Sequence, residues 1–73
     1  MRITYDPEAD ALYIKLREAT PRESMDIEEG VTVDLDNEGH VIGIEVLDAS
    51  KRLTPEELTS VSYENLLLAA KAP

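Results

Sequence analysis

The first two thirds of the chain alternate between apolar and polar residues, a pattern typical of β-strands that bury one face. The alternation predicts four or five strands, because the third segment is weaker than the others. The short polar connections between the segments predict antiparallel pairing in meander order. The predicted strands are residues 2–5, 11–16, 24–28, 31–36 and 41–48.

The connections contain the residues that tight turns require. Pro7 lies in the polar segment 6–10, so this segment predicts a hairpin turn between the first two strands. Gly30 ends the third strand, and Gly39 lies in the turn 37–40, where glycine can adopt a positive φ.

The C-terminal third changes to helical spacing. Residues 53–58 predict a helix that begins after Thr54, because Pro55 suits the first turn and Glu57 completes a capping box with Thr54. Residues 59–62 are poor helix formers and predict a break. Apolar residues then recur at helical spacing, at Tyr63, Leu66, Leu67 and Ala70.

The resulting fold class is α+β: a small antiparallel β-meander sheet of four or five strands, with a C-terminal helical segment packed on one face. Within residues 59–72, a strand through residues 60–66 is the alternative to a helix. The predicted core consists of Ile3, Leu12, Ile14, Leu16, Val31, Val33, Leu35, Ile42, Ile44, Val46, Leu66 and Leu67.

The strand 41–48 is apolar on both faces, and such a strand is usually covered on both sides. A chain of this length has one helical tail, which can cover one side. We therefore expect another copy of the chain to cover the second side in a homodimer. The candidate interface residues are Tyr13, Val41, Gly43 and Leu47.

The length of 73 residues predicts a single domain spanning residues 1–73. A domain of this size buries only about 60% of the surface that its unfolded chain exposes. Disulfides, metals or partner subunits commonly stabilise such domains. The chain has no cysteine, which excludes disulfides and thiolate metal sites and favours oligomerisation.

The formal net charge is −9, from 16 acidic and 7 basic residues. This charge opposes binding to nucleic-acid phosphates and anionic lipids, and it favours association with basic proteins. The sequence has no apolar stretch of the ~20 residues that a membrane span needs, and its N-terminus lacks the apolar region of a signal peptide. We therefore expect a cytoplasmic protein that binds neither nucleic acid directly nor membranes.

The acidic segment that begins at Asp6 resembles the start of a calcium loop, with Glu8 and Asp10 at alternate positions. Counted from Asp6, however, positions six and twelve are Ala11 and Arg17, where an EF-hand has Gly and Glu. We therefore interpret the segment as a hairpin turn whose carboxylates accept hydrogen bonds from backbone N–H groups or stay in water.

A second acidic pair, Asp34 and Asp36, lies on one face of a predicted strand, with a spacing of about 6 to 7 Å. Paired carboxylates can bind Mg²⁺ or exchange protons, so these residues are the candidate metal ligands, although a solvated polar face is the simpler interpretation. His40 stands beside a turn without a neighbouring nucleophile. The sequence contains no phosphate-binding loop, and we predict no catalytic residue and no cofactor.

Two longer segments carry a resemblance to a known family. YDPEADALYIKL at residues 5–16 is followed by GVTVDLDNEGHVIGIEVLDAS at residues 30–50. Together they resemble the bacterial family known as domain of unknown function 2283, over residues 3–50. The resemblance implies a small, cytoplasmic, mostly β protein similar to antitoxin-like partners that are encoded beside small toxin-like proteins. It implies no catalytic residue.

Three function hypotheses follow. The first is a protein-interaction module, an antitoxin-like partner of a basic protein, whose acidic surface speeds and orients the encounter. The second is a small metal-binding or metal-dependent protein that uses Asp34, Asp36 or the segment 6–10. The third is an enzyme, which ranks last because no nucleophile, base or phosphate-binding motif is recognisable.

Overall fold

The computed structural model describes residues 1–67. Five strands are present: β1 (Arg2–Asp6), β2 (Ala11–Lys15), β3 (Glu23–Glu28), β4 (Val31–Leu35) and β5 (Val41–Leu47). They form one antiparallel sheet in the order β1-β2-β5-β4-β3. Two short helices follow, α1 (Ala49–Arg52) and α2 (Pro55–Thr59). The architecture is therefore α+β, as the alternation and the C-terminal helical spacing predict.

The strand order departs from a simple meander at one place. β1 and β2 form a hairpin, and β3, β4 and β5 follow one another, but β5 rather than β3 pairs with β2. The connection 16–22 therefore leads from the inside of the sheet to its far edge. The composition of the two strands explains why β5 and not β3 lies beside β2. β5 is mostly apolar and contains the buried residues Ile42 and Gly43, whereas β3 carries three carboxylates and is exposed along its whole length. Charged, exposed strands belong at sheet edges.

The sheet has one apolar face and one polar face. Paired residues on neighbouring strands project from the same face. Ile3 pairs with Ile14, Ile14 with Ile44, and Ile44 with Val33, so a row of apolar side chains crosses four strands. The parallel row on the other face consists of Thr4, Tyr13, Glu45, Thr32 and Asp26.

Burial is concentrated on β4, β5 and the start of α1. Val33, Leu35, Ile42 and Ala49 are buried, the first three as the apolar pattern predicts. The register shifts between Asp34 and Leu35, so that Ile42 has no direct partner on β4. The remaining predicted core residues of these strands and of β2 are half-buried, namely Leu12, Ile14, Val31, Ile44 and Val46.

The core prediction is wrong at the C-terminal end. Leu66 and Leu67 are 70% and 65% exposed, and residues 61–65 form neither helix nor strand. The helical spacing identifies an apolar stripe but not what covers it. Tyr63, the first residue of the stripe, lies beside Met1 and Ile3 at one edge of the sheet, yet it is 74% exposed. Ala70, the last member of the stripe, lies outside the described residues. Ile3 and Leu16, which were also predicted as core residues, are exposed.

The predicted capping box of α2 is confirmed. Oγ1 of Thr54 accepts a hydrogen bond of 3.2 Å from the Glu57 N–H, and the Thr54 N–H donates one of 2.8 Å to Oε1 of Glu57. The helix is short because Ser60 returns to an extended backbone. Among the described residues, neither helix is long or apolar enough to cross a membrane.

Candidate functional site

A hydrogen-bonded column crosses the polar face of the sheet. The hydroxyl of Tyr13 on β2 donates a hydrogen bond of 2.7 Å to Oδ2 of Asp34 on β4, although β5 lies between these strands. Ser24 on β3 donates one of 2.8 Å to Oδ1 of the same carboxylate. The register places Asp34 directly beside both Ser24 and Gly43. The column therefore joins four of the five strands.

Gly43 makes this crossing possible. A Cβ atom built at this position would lie 2.6 Å from Cζ of Tyr13 and closer still to the hydroxyl. Carbon atoms in contact lie about 3.5–4.0 Å apart, so the phenol occupies the space of a side chain at position 43. The hydrogen bond to Asp34, then burial, then the charges of Asp34 and Glu45 raise the pKa of Tyr13 to about 12.

The two candidate metal ligands have separate partners. Asp34 accepts the hydrogen bonds of the column, whereas Asp36 is buried and holds the turn after β4. Oδ1 of Asp36 accepts the N–H groups of Glu38 and His40, each at 2.9 Å, and Oδ2 accepts Arg17. The His40 N–H, the largest cause, lowers the pKa of Asp36 against the opposing effect of burial. In the described part of the chain, no three His, Cys, Asp or Glu residues form a group that could hold a metal ion.

The acidic segment between β1 and β2 is a turn, as its sequence predicts. Asp6 accepts the N–H of Glu8 at 3.0 Å. Asp10 accepts the Tyr5 hydroxyl at 2.7 Å, and it accepts both the N–H and the hydroxyl of Ser50, at 2.9 and 2.6 Å. The hydrogen bonds from Ser50 and Tyr5 lower the pKa of Asp10. Carboxylates in this segment therefore fix the backbone.

Asp10 also caps α1, a helix that the sequence did not predict. Asp48 stands at the N-cap position with φ of 54° and makes no side-chain cap bond. The carboxylate of Asp10 accepts the Ser50 N–H instead, and its backbone oxygen accepts the Ala49 N–H at 3.0 Å. The cap comes from a residue far away in sequence, so local spacing gives no indication of it.

Arg52 makes a second set of long-range contacts that the sequence did not predict. Its Nε donates to the Leu47 carbonyl at 3.1 Å, its Nη1 to Oε2 of Glu28 at 3.0 Å, and its Nη2 to the Glu29 carbonyl. A Cβ atom on Gly30 would lie 2.6 Å from Nη2, and Gly30 has φ of +83°. The guanidinium of Arg52 thus connects α1 to the β3–β4 hairpin, and it fits there because Gly30 has no side chain.

The structure distributes the four predicted interface residues over β2 and β5. Tyr13 and Gly43 are in contact, but the hydroxyl between them is directed at Asp34. Val41 and Leu47 lie at opposite ends of β5 and are 41% and 40% exposed. At ~3.3 Å per residue these ends are about 20 Å apart. A polar column therefore lies between the two apolar positions.

The free edge at β3 is acidic. All six residues of this strand are exposed, and three of them are carboxylates: Glu23, Asp26 and Glu28. No strand of the described residues lies on its outer side, so N–H and C=O groups along that edge face solvent. Glu28 forms the ion pair with Arg52, and Asp26 accepts the Thr32 hydroxyl at 2.9 Å. This edge therefore combines negative charge with unpaired backbone groups.

Comparisons with known proteins identify the family. Residues 2–50, which contain all five strands and the Asp10–Ser50 contact, match the model of a family described as protein of unknown function, DUF2283. The uncharacterised protein MJ0789 of Methanocaldococcus jannaschii is 37% identical over 51 residues. That match covers 70% of this chain and 43% of the relative, so the chain spans less than half of that protein's length. No solved structure matches the chain. The chain belongs to the DUF2283 family of proteins of unknown function.

Proposed function

We propose that the chain is a small cytoplasmic protein-interaction module that binds a basic protein, as an antitoxin-like partner, through the acidic edge at β3. The observation that carries the proposal is the exposed edge strand with three carboxylates among six residues. An edge strand can accept a strand of another protein through its free N–H and C=O groups. The carboxylates define the chemistry of that strand, which should carry Lys or Arg.

Charge selects against self-association at this edge. Like charges placed opposite each other on neighbouring strands destabilise the pair, whereas opposite charges contribute roughly 0.2–1 kcal/mol. Two copies of β3 paired edge to edge would bring the carboxylates of Glu23, Asp26 and Glu28 from both copies together along one seam. A basic partner strand therefore fits better than another copy.

The net charge of −9 supports the same partner class. Complementary charge speeds the encounter of two proteins, and salt screens this attraction within a Debye length of about 8 Å at physiological ionic strength. Association through the β3 edge should therefore weaken as salt is added.

The experiment measures association between the purified chain and the purified product of a neighbouring gene, at low and at high salt. We expect binding at low salt and weaker binding at high salt. The double variant Glu23→Gln/Asp26→Asn removes two charges from β3 and should bind the partner less tightly. Its control is Glu8→Gln/Glu38→Gln, which changes the net charge by the same amount at exposed positions away from β3 and should bind more tightly than the first variant. Absence of association in both salt conditions would contradict the function. Equal weakening by both variants would contradict the site.

Metal binding, the alternative function, draws no support from the contacts of the candidate ligands. Asp34 accepts two side-chain hydroxyls, and Asp36 accepts two backbone N–H groups and Arg17. A metal ion would have to displace these donors. Calorimetric titration with Ca²⁺, Mg²⁺ and Mn²⁺ separates the two functions, because the interaction module predicts no heat above dilution.

A further inference from the structure

The exposed strand β3 presents different side chains on its two faces. Met25 pairs with the buried Val33 and therefore projects from the apolar face of the sheet. Glu23 lies two positions before Met25, so it projects from the same face. Asp26, the next residue along the chain, projects from the polar face. The first half of β3 thus combines one apolar side chain with a carboxylate on each face.

Neither of these two carboxylates has a cation as its partner. The ion pairs within residues 1–67 engage three other carboxylates, those of Glu18, Glu28 and Asp36. Oδ1 of Asp26 accepts the uncharged Thr32 hydroxyl at 2.9 Å. Among the described residues of β3, Glu23 and Asp26 are therefore the positions where negative charge remains without a counter-ion.

Met25 determines what a partner strand should place between its basic residues. Its side chain is 52% exposed, and methionine adapts its shape to different apolar partners. A strand added at this edge would place one residue directly opposite Met25, with Cβ atoms about 4.5–5.5 Å apart. An apolar residue there removes further apolar surface from water, whereas a charged residue there loses hydration without gaining a counter-ion. The residue opposite Met25 should therefore be apolar.

The carboxylates also restrict which strands can add to the edge. Charged side chains on an exposed edge oppose indiscriminate strand pairing. A wholly apolar strand would cover Glu23 without supplying a counter-ion, and a wholly basic strand would place a cation against Met25. A strand that meets both requirements carries cations and an apolar residue at fixed positions. Rejection of the other two kinds gives the edge its specificity.

We propose that the partner strand carries basic residues opposite Glu23 and Asp26 and an apolar residue opposite Met25. In an antiparallel partner this pattern reads, from the N-terminus, basic–apolar–any–basic. The first basic residue then lies on the polar face, and the apolar residue and the second basic residue lie on the apolar face. This inference rests on the function proposed above for the β3 edge, and it adds a sequence pattern to the class of partner.

The test uses two synthetic peptides of identical composition and charge. Both begin and end with two threonines. The first contains Lys-Val-Thr-Lys between them, and the second contains Val-Lys-Thr-Lys, which places valine opposite Asp26 and lysine opposite Met25. Fluorescence anisotropy with the full chain at low salt should show roughly two- to tenfold tighter binding of the first peptide, because two cross-strand pairs are exchanged. Equal affinities that both weaken with added salt overturn the pattern and leave the proposed function standing.

Two variants of the chain locate the apolar position. Met25→Thr keeps a residue that favours strands but removes the apolar contact, so the preference for the first peptide should be lost. Ile27→Thr, the control, removes an apolar side chain that is 59% exposed on the same strand outside the pattern, and the preference should persist. An unchanged preference in Met25→Thr overturns the inference. If neither peptide binds the unmodified chain, β3 is not the binding edge, and the proposed site fails together with the pattern.

Discussion

The Tyr13 hydroxyl donates a 2.7 Å hydrogen bond to Asp34 across a strand to which neither residue belongs. The intervening strand permits the contact because Gly43 has no side chain beneath the ring. The contact therefore links β2 to β4 across β5, in addition to the backbone pairing of these strands. Damage to it should be measurable in the stability of the whole sheet.

Gly43→Ala should destabilise the fold by about 1–3 kcal/mol, because the new methyl group overlaps the phenol of Tyr13. The free energy of unfolding from urea titration measures the cost. In a Tyr13→Ala background the same substitution should cost less, since the ring that it displaces is already gone. If Gly43→Ala lowers the free energy of unfolding by the same amount in both backgrounds, the ring of Tyr13 does not occupy the space above Gly43.

Tyr13 should ionise at higher pH in the folded chain than in the unfolded chain. The hydrogen bond to Asp34, the largest cause, raises its pKa from 10.0 to about 12. A group whose folded pKa is raised stabilises the fold below its unfolded pKa, and this contribution is lost as the pH rises through the folded value.

The stability of the unmodified chain should therefore fall between pH 10 and 12 more steeply than that of Tyr13→Phe. Urea titrations across this range measure the difference, and tyrosinate absorbance follows the ionisation itself. Parallel pH profiles of the two proteins would contradict the assignment.

Asp10→Gly should lower the urea midpoint, whereas Asp48→Gly should leave it unchanged or raise it. Both residues have a positive φ, 51° and 54°, which glycine tolerates without strain. They differ in their side-chain contacts, because Asp10 accepts Tyr5 and Ser50 while Asp48 makes no cap bond. Equal midpoints for the two variants would contradict the role of Asp10 as the cap of α1.

The contribution of Asp10 should also depend on pH. The hydrogen bonds from Ser50 and then Tyr5 lower its pKa below the ordinary 3.8. A depressed carboxyl pKa stabilises the fold above the unfolded value, and the contribution disappears as the pH falls through the folded value. The difference between the unmodified chain and Asp10→Gly, measured by urea titration, should therefore narrow below about pH 4.

Arg52→Lys should cost about 1–2 kcal/mol, because an ammonium group cannot reproduce the fork that reaches two backbone carbonyls and Glu28. Glu28→Gln is the control. It removes only an ion pair whose carboxylate is 63% exposed, and exposed pairs contribute roughly 0–1 kcal/mol. Urea titration compares the two variants, and a larger loss with Glu28→Gln would contradict this ranking.

The elements that depend on local pattern were predictable from the sequence. Alternation locates each of the five strands to within one residue at either end. Thr54 and Glu57 similarly predict the start of α2, since both halves of the capping box lie within one turn. Local interactions of this kind are visible in sequence because their partners are neighbours.

The contacts between distant segments could not be predicted in this way. Asp10 and Ser50 are forty residues apart, and Tyr13 and Asp34 meet only because β5 inserts between their strands. The strand order itself depends on which strand is apolar enough for the inside of the sheet. Leu66 was predicted as a core residue but is 70% exposed, because helical spacing identifies an apolar stripe and does not identify the surface on which it packs.

The glycine beneath the phenol has a consequence for the alignment of the strands during folding. Ile42, Ile44 and Val46 are so alike that β5 could slide by two residues against β2 and still present an apolar face. Such a slip would place Glu45 or Val41 under the ring of Tyr13, where there is room only for a hydrogen atom. Among these alignments, only the one with Gly43 beneath the ring lets Tyr13 reach Asp34 across β5, so Gly43 selects a register that the apolar pattern alone leaves ambiguous.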